Sequence, residues 1–242
     1  MDIFTSLALI ALAALVHASF QLSVSVVTLL SSHALGTKTR QMKLVRLTNS
    51  FVLGASAMSV LLLADVSFLL ARLFPTQTPD LLWAIVCGLL FGVGIATWAF
   101  YYRPGRGTVL WIPRGMARFL AARSKKVSSS PEAFSLGLSS TLAEILFIAV
   151  PIFVAGLLII RLPGVWQLAG VGLYAVVSTT ILFAVTALIG SGHRLSEIQR
   201  WRETNKRFLQ FAGGAGFLVL GFFLYVNQLL ADHVSALVGG LH

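Results

Sequence analysis

Apolar residues dominate this chain in long runs, and the runs have the length of bilayer-spanning helices. Six segments stand out, at about 3–31, 49–72, 82–102, 133–160, 165–190 and 208–231. Each is near or above the roughly 20 residues that cover a hydrocarbon core of about 30 Å. The pattern predicts an all-α integral membrane protein of six transmembrane helices. The first segment carries an exception to its own hydropathy. His17, Gln21, Ser25, Thr28 and Ser32 recur at steps of three or four, which places them on one helical face. Hydrocarbon cannot hydrogen-bond such a face, so it turns towards other helices or a water-filled cavity. It is either the glue between two helices or the lining of a substrate or ion path.

The fourth segment has an exception of its own. Glu144 stands about eleven residues from its start, or about 17 Å at helical rise, close to midplane. His17, about fourteen residues into the first segment, reaches a similar depth. An ionisable side chain at that depth is costly, and it marks either a function or a hydrogen-bonded partner. The sequence names His17 as the partner of Glu144, the two forming a proton-coupling or cation-binding pair. Gln21, Ser25, Thr28, Ser139, Ser140 and Thr141 would then line the path. The alternative is a neutral, hydrogen-bonded Glu144 fastening two helices. Gly137, Ser140, Glu144 and Pro151 share a face, and Pro151 is expected to bend the helix one turn before itself. Asp65 is either a second carboxylate on the path or a group at the outer interface. Ser178, Thr179 and Thr180 either bond backbone carbonyls or line the same cavity.

Composition narrows the class. The 242 residues are 57% hydrophobic and 11% charged, which excludes an ordinary soluble domain. A net charge of +10 raises nucleic acid as a partner, but the placement of the charges speaks against it. Sixteen of the 18 Lys and Arg fall in the connections after the first, third and fifth segments, leaving Arg72 and Arg161. The positive-inside rule puts those three connections in the cytoplasm and both termini outside, in a plasma membrane such as a bacterial inner membrane. The lipid bilayer is the partner this implies, with a small solute or ion as cargo and a second copy or another membrane protein as a candidate neighbour. The single cysteine, Cys87, excludes a disulfide framework, a thiol-pair redox centre and a thiolate metal site. No metal or cofactor pattern stands out, and neither a Ser–His–Asp logic nor an HExxH pattern points to an enzyme. Gly213, Gly214 and Gly216 lack the Lys and preceding strand of a phosphate loop and read as a helix-packing surface. The N-terminal run has no basic n-region and is expected to be a retained span.

The whole chain reads as one transmembrane domain with an internal repeat: about 1–102, a cytoplasmic connector at about 103–130, and about 131–242. Phe20-Gln-Leu-Ser-Val-Ser25 is echoed by Phe134-Ser-Leu-Gly-Leu-Ser139, and GLLFGVGIATWAFYY by AGGAGFLVLGFFLYV. Three spans per half is odd, so the halves would be inverted, a plan common among secondary transporters. In the connector, VLWIPRGMARFLAARSKK suits an interfacial helix with Trp111 and Phe119 towards lipid. Ser130 is expected to cap the fourth helix, with Pro131 first inside it. The connection before the sixth span is expected to run on as helix, with Ser196 as its cap.

Six spans in two sets of three, small-residue-rich first and fourth spans, and a basic middle connector together resemble the lysine-exporter-like superfamily of membrane transporters. That group holds amino-acid exporters, metal-ion exporters and thiol–disulfide proteins of cytochrome c maturation. The thiol–disulfide branch has a cysteine in each of its first and fourth spans; this chain has neither. The acidic signatures of metal exporters are missing too. The resemblance implies a small secondary transporter or exporter, with export in exchange for protons. A non-transporting integral subunit or scaffold is the alternative, and a lipid-acting enzyme stands third.

Overall fold

A computed structural model describes residues 2–21, 38–75, 78–100, 114–124, 126–192 and 195–230, and every regular element in them is helical. In chain order these are α1 (Ile3–Gln21), α2 (Lys38–Leu73), α3 (Asp80–Phe100), α4 (Arg114–Ser124), α5 (Ser130–Ala143), α6 (Ile145–Ile159), α7 (Gly164–Gly190), α8 (Leu195–Thr204) and α9 (Lys206–Leu224). A π-helical turn, Tyr225–Leu230, extends α9. Five helices are long and apolar enough to cross a membrane, and the pair α5–α6 makes a sixth if it is counted as one span. Their outer faces carry large apolar side chains, Phe68, Leu81 and Leu168 among them, each more than 60% exposed. A bilayer solvates such faces and water does not.

Two boundaries differ from the hydropathy reading. The helix that carries the second span starts at Lys38, ahead of the apolar stretch near residue 49: its 36 residues rise about 54 Å and include Lys43 and Arg46. Nothing between Lys38 and Gly54 breaks a helix, so the backbone stays helical while the side chains turn basic. The fourth span is not one helix. α5 and α6 meet at an angle of 83°. The break falls at Glu144, while Pro151, expected to bend the span, lies inside α6.

The last turns of α5 carry side-chain bonds to their own backbone beside the break. Ser139 Oγ donates to the Ser135 carbonyl at 2.9 Å, and Thr141 Oγ1 to that of Gly137 at 3.4 Å. Such back-bonding competes with the backbone ladder and bends helices. The Glu144 backbone has φ −89° and ψ −2°, and its amide reaches Thr141 at 3.1 Å in a tightened last turn. The start of α5 also moves, by one residue. Ser129 is the N-cap, because the Glu132 carboxylate accepts from the Ser128 and Ser129 amides at 2.8 and 3.2 Å. The Ser129-x-x-Glu132 spacing is a capping box that the Ser130 assignment overlooked. The backbone of Ser196 falls within the first turn of α8, and α8 meets α9 at Asn205.

The helices pair across the chain more than along it. α1 packs on α6, α7 and α9; α2 packs on α5, α6 and α7; α3 packs on α9. Glycines set the closest of these contacts. A Cβ on Gly137 would run into the Phe51 carbonyl, and one on Gly54 into the Phe134 carbonyl, so α2 and α5 meet backbone to backbone. Gly94 and Gly214 do the same for α3 and α9. Gly213 and Gly216 face Phe20 and Val16 of α1, which makes the glycine-rich stretch a packing surface. The connector holds a helix, α4, where one was expected: Leu120 is buried against α5 while Phe119 is exposed; Trp111 lies outside the described residues.

Candidate functional site

The polar stripe of α1 points inward. His17 and Gln21, one turn apart, are both fully buried. His17 Nδ1 lies 2.9 Å from the Tyr174 hydroxyl of α7, and its Nε2 lies 3.3 Å from Gln21 Nε2. With the Gln21 amide in this orientation its nitrogen donates, the ring Nε2 accepts and the ring proton sits on Nδ1; the opposite amide orientation would reverse both roles. In that tautomer Nδ1–H donates to the Tyr174 oxygen; in the other the Tyr174 hydroxyl donates to Nδ1. Both ring nitrogens are taken by these two neighbours and not by Glu144, the partner expected from the sequence. The missing information was three-dimensional: Tyr174 is 157 positions away.

Glu144 stands at the break between α5 and α6, fully buried, with Ser140 and Thr141 of the preceding turn also buried. One turn further on, Phe147 stacks on Phe20 of α1, the ring centroids 5.1 Å apart and the planes within 5° of parallel. Phe20 is in turn three residues past His17. The stack thus holds the break in the fourth span beside the polar turn of α1. Phe217 of α9 closes on the same ring at 5.3 Å. Gln21 contributes one more polar group, because its Oε1 is buried and has no hydrogen-bond partner among the described residues. A buried carbonyl oxygen of this kind costs free energy unless something arrives to donate to it.

Several expected residues take other places. Ser25 and Thr28 lie outside the described residues. Asp65 is exposed on α2, away from the buried group. Ser139 is partly buried and lines a cavity of about 230 Å³ between α4 and α5. Ser178, Thr179 and Thr180 bond carbonyls of their own helix, at Ala175 for the first two and Val176 for the third. Thr141 reaches across to the Ala55 carbonyl at 3.4 Å.

Tyr174 is the residue that the sequence reading missed. The signal was present: Tyr174 and Ser178 stand four apart inside the fifth span, and a tyrosine hydroxyl within hydrocarbon must find a partner. Among the described residues no three His, Cys, Asp or Glu side chains gather as a metal-ligand group. Compared with models of protein families, with curated proteins and with solved structures, the chain matches none.

Proposed function

We propose that the chain is a small secondary transporter, with its central site where the broken fourth span meets the polar turn of α1. One observation carries this reading: an 83° break in a membrane-length apolar helix pair, with a buried carboxyl at the break point. Interrupted backbone at membrane depth is tolerated where it is buried in protein or lines a cavity, and broken helices at midplane form the sites of many secondary transporters. Glu144 supplies a group that exchanges a proton. His17, held by Tyr174, positions Gln21, whose unmatched Oε1 accepts a hydrogen bond from the cargo. The site therefore suits a small cation or a solute rich in N–H or O–H donors.

The helix pairings support two inverted halves. Exchanging α1 with α5–α6, α2 with α7, and α3 with α9 turns the contact of α1 on α7 into that of α5–α6 on α2. The same exchange leaves the α2–α7 and α3–α9 contacts unchanged. A plasma-membrane location with the basic connections in the cytoplasm follows from the charge bias. The scaffold reading also has an observation in its favour: the hydroxyls of Thr141, Ser178 and Thr179 spend their hydrogen bonds on helix carbonyls, as a dry interface would.

Proton flux in liposomes separates the two. The purified chain and Glu144→Gln are compared under an imposed pH gradient with a panel of small amines and cations. The transporter reading expects one compound to drive flux in the wild type and Glu144→Gln to abolish it while the protein remains folded. Absence of flux in both, with Glu144→Gln changing only the melting temperature, sinks that reading in favour of the scaffold.

A further inference from the structure

The cavity between α4 and α5 has a chemistry that the central site does not use. It measures about 230 Å³, and Arg123 and Lys126 stand on its rim with Glu132, Ser135, Ser139 and Phe119. Both cations are exposed, and Phe119 is 46% exposed. The charges sum to one positive, because Glu132 is an anion committed to the α5 N-terminus. Its carboxylate accepts from the Ser128 and Ser129 amides and from the Ser128 hydroxyl. Those hydrogen bonds hold its pKa below the ordinary glutamate value. The Ser135 hydroxyl adds a donor and an acceptor, and the Ser139 hydroxyl, whose proton goes to the Ser135 carbonyl, adds an acceptor. A cavity of this size has room for roughly eight water-sized groups, enough for one small polar headgroup and too little for an acyl chain. The chain's own pattern puts the cavity at a membrane face: α4 is a short amphipathic helix in the most basic connection, and α5 runs from there into the apolar bundle.

We propose that this cavity binds the phosphodiester headgroup of an anionic phospholipid of the cytoplasmic leaflet, with Arg123 and Lys126 on the phosphate. Ser135 and Ser139 face the headgroup hydroxyls, and Phe119 lies along the first acyl carbons. One net positive charge matches a phosphodiester monoanion. Apolar Phe119 beside the cations distinguishes a lipid from free phosphate, which has nothing to lay against a ring. Phosphatidylglycerol has the required chemistry, and phosphatidylcholine, whose headgroup is neutral overall, does not. This inference does not depend on the transporter reading.

The test uses the full chain in mild detergent, titrated separately with phosphatidylglycerol and phosphatidylcholine, with retained lipid counted by native mass spectrometry. Phosphatidylglycerol is expected to bind about 10- to 30-fold more tightly, the worth of two basic groups at an anionic headgroup. Arg123→Gln with Lys126→Gln should erase that preference. A second double variant, Lys43→Gln with Arg200→Gln, removes the same charge elsewhere on the basic face and should keep it. Equal loss in both double variants overturns the proposal, because the preference would then be general surface electrostatics. Displacement of phosphatidylglycerol by millimolar inorganic phosphate overturns the lipid source, and failure to displace supports it. Ser135→Ala with Ser139→Ala provides a milder probe should the charge variant fold poorly. It is expected to weaken phosphatidylglycerol several-fold and leave phosphatidylcholine unchanged, and equal binding of phosphatidylglycerol to wild type counts against the site.

Discussion

At the scale of residues, the buried polar group is held by two hydrogen bonds whose directions are set together by the His17 tautomer. The His17 ring is expected to be neutral and protonated on Nδ1, since Gln21 Nε2 donates to its other nitrogen. Nitrogen-15 shifts of a histidine-labelled sample read this directly, and a proton found on Nε2 would contradict the assignment. Tyr174→Phe removes the acceptor of Nδ1–H and leaves a buried donor unmatched. A loss of about 1–2 kcal/mol is expected from unfolding in detergent, the cost of leaving a fully buried polar group unmatched. Tyr225→Phe, on a residue 42% exposed, is the matched control and should change little. Much of this scale was legible in the chain. His17, Gln21 and Glu144 stand out because hydrocarbon penalises them, and all three are fully buried. The partner of His17 was not legible, because helical spacing fixes which face a residue occupies and says nothing of which helix stands opposite.

At the scale of elements, close backbone contact and capping decide what a substitution costs. Gly137→Ala puts a methyl group into the Phe51 carbonyl, and backbone on both sides cannot give way as a side chain would. A loss of about 1–3 kcal/mol is expected, as for other overpacked interfaces. Gly88 meets nothing within 4 Å, so Gly88→Ala should be neutral or gain up to about 1 kcal/mol of helix propensity. If both glycines respond alike, the contact between α2 and α5 is not what sets the difference. The start of α5 responds to pH through Glu132. Its folded pKa lies below its unfolded value, so the cap stabilises the fold above the unfolded value and is lost as pH falls through the folded one. Stability of wild type minus Glu132→Gln should therefore be flat near neutral pH and shrink only below about pH 4.5, the ordinary glutamate value. Hydropathy located these helices but not the break in the fourth. The apolar run passes through residues 133–160 without a gap, so hydropathy has nothing to mark the break at Glu144. The long α2 was hidden for the converse reason: charge marks where hydrocarbon ends, not where helix ends.

At the scale of the whole molecule, the bent pair decides the topology. Lys126 precedes α5 and Val165 follows α6, and both are exposed. If α5 and α6 together cross the bilayer, these two positions lie on opposite sides; if the 83° bend returns the chain to its starting side, they lie together. Charge favours the crossing. With a return, the helix α7 would carry Arg200 and its basic neighbours to the face opposite Lys126, splitting a bias that otherwise gathers sixteen of 18 cations on one side. The two inverted halves proposed above would also require the crossing, because three passes in the first half can be matched only by three in the second. Cysteine labelling tests this in intact cells, in a Cys87→Ala background that removes the one native thiol. A membrane-impermeant maleimide should label Val165→Cys before lysis, and Lys126→Cys and Arg200→Cys only after it. Labelling of Val165→Cys and Lys126→Cys under the same condition would make α5–α6 a re-entrant loop. That result would undo the proposed inverted repeat while leaving Glu144 buried beside the polar turn of α1, since the packing of α6 on α1 does not depend on which face α5 returns to.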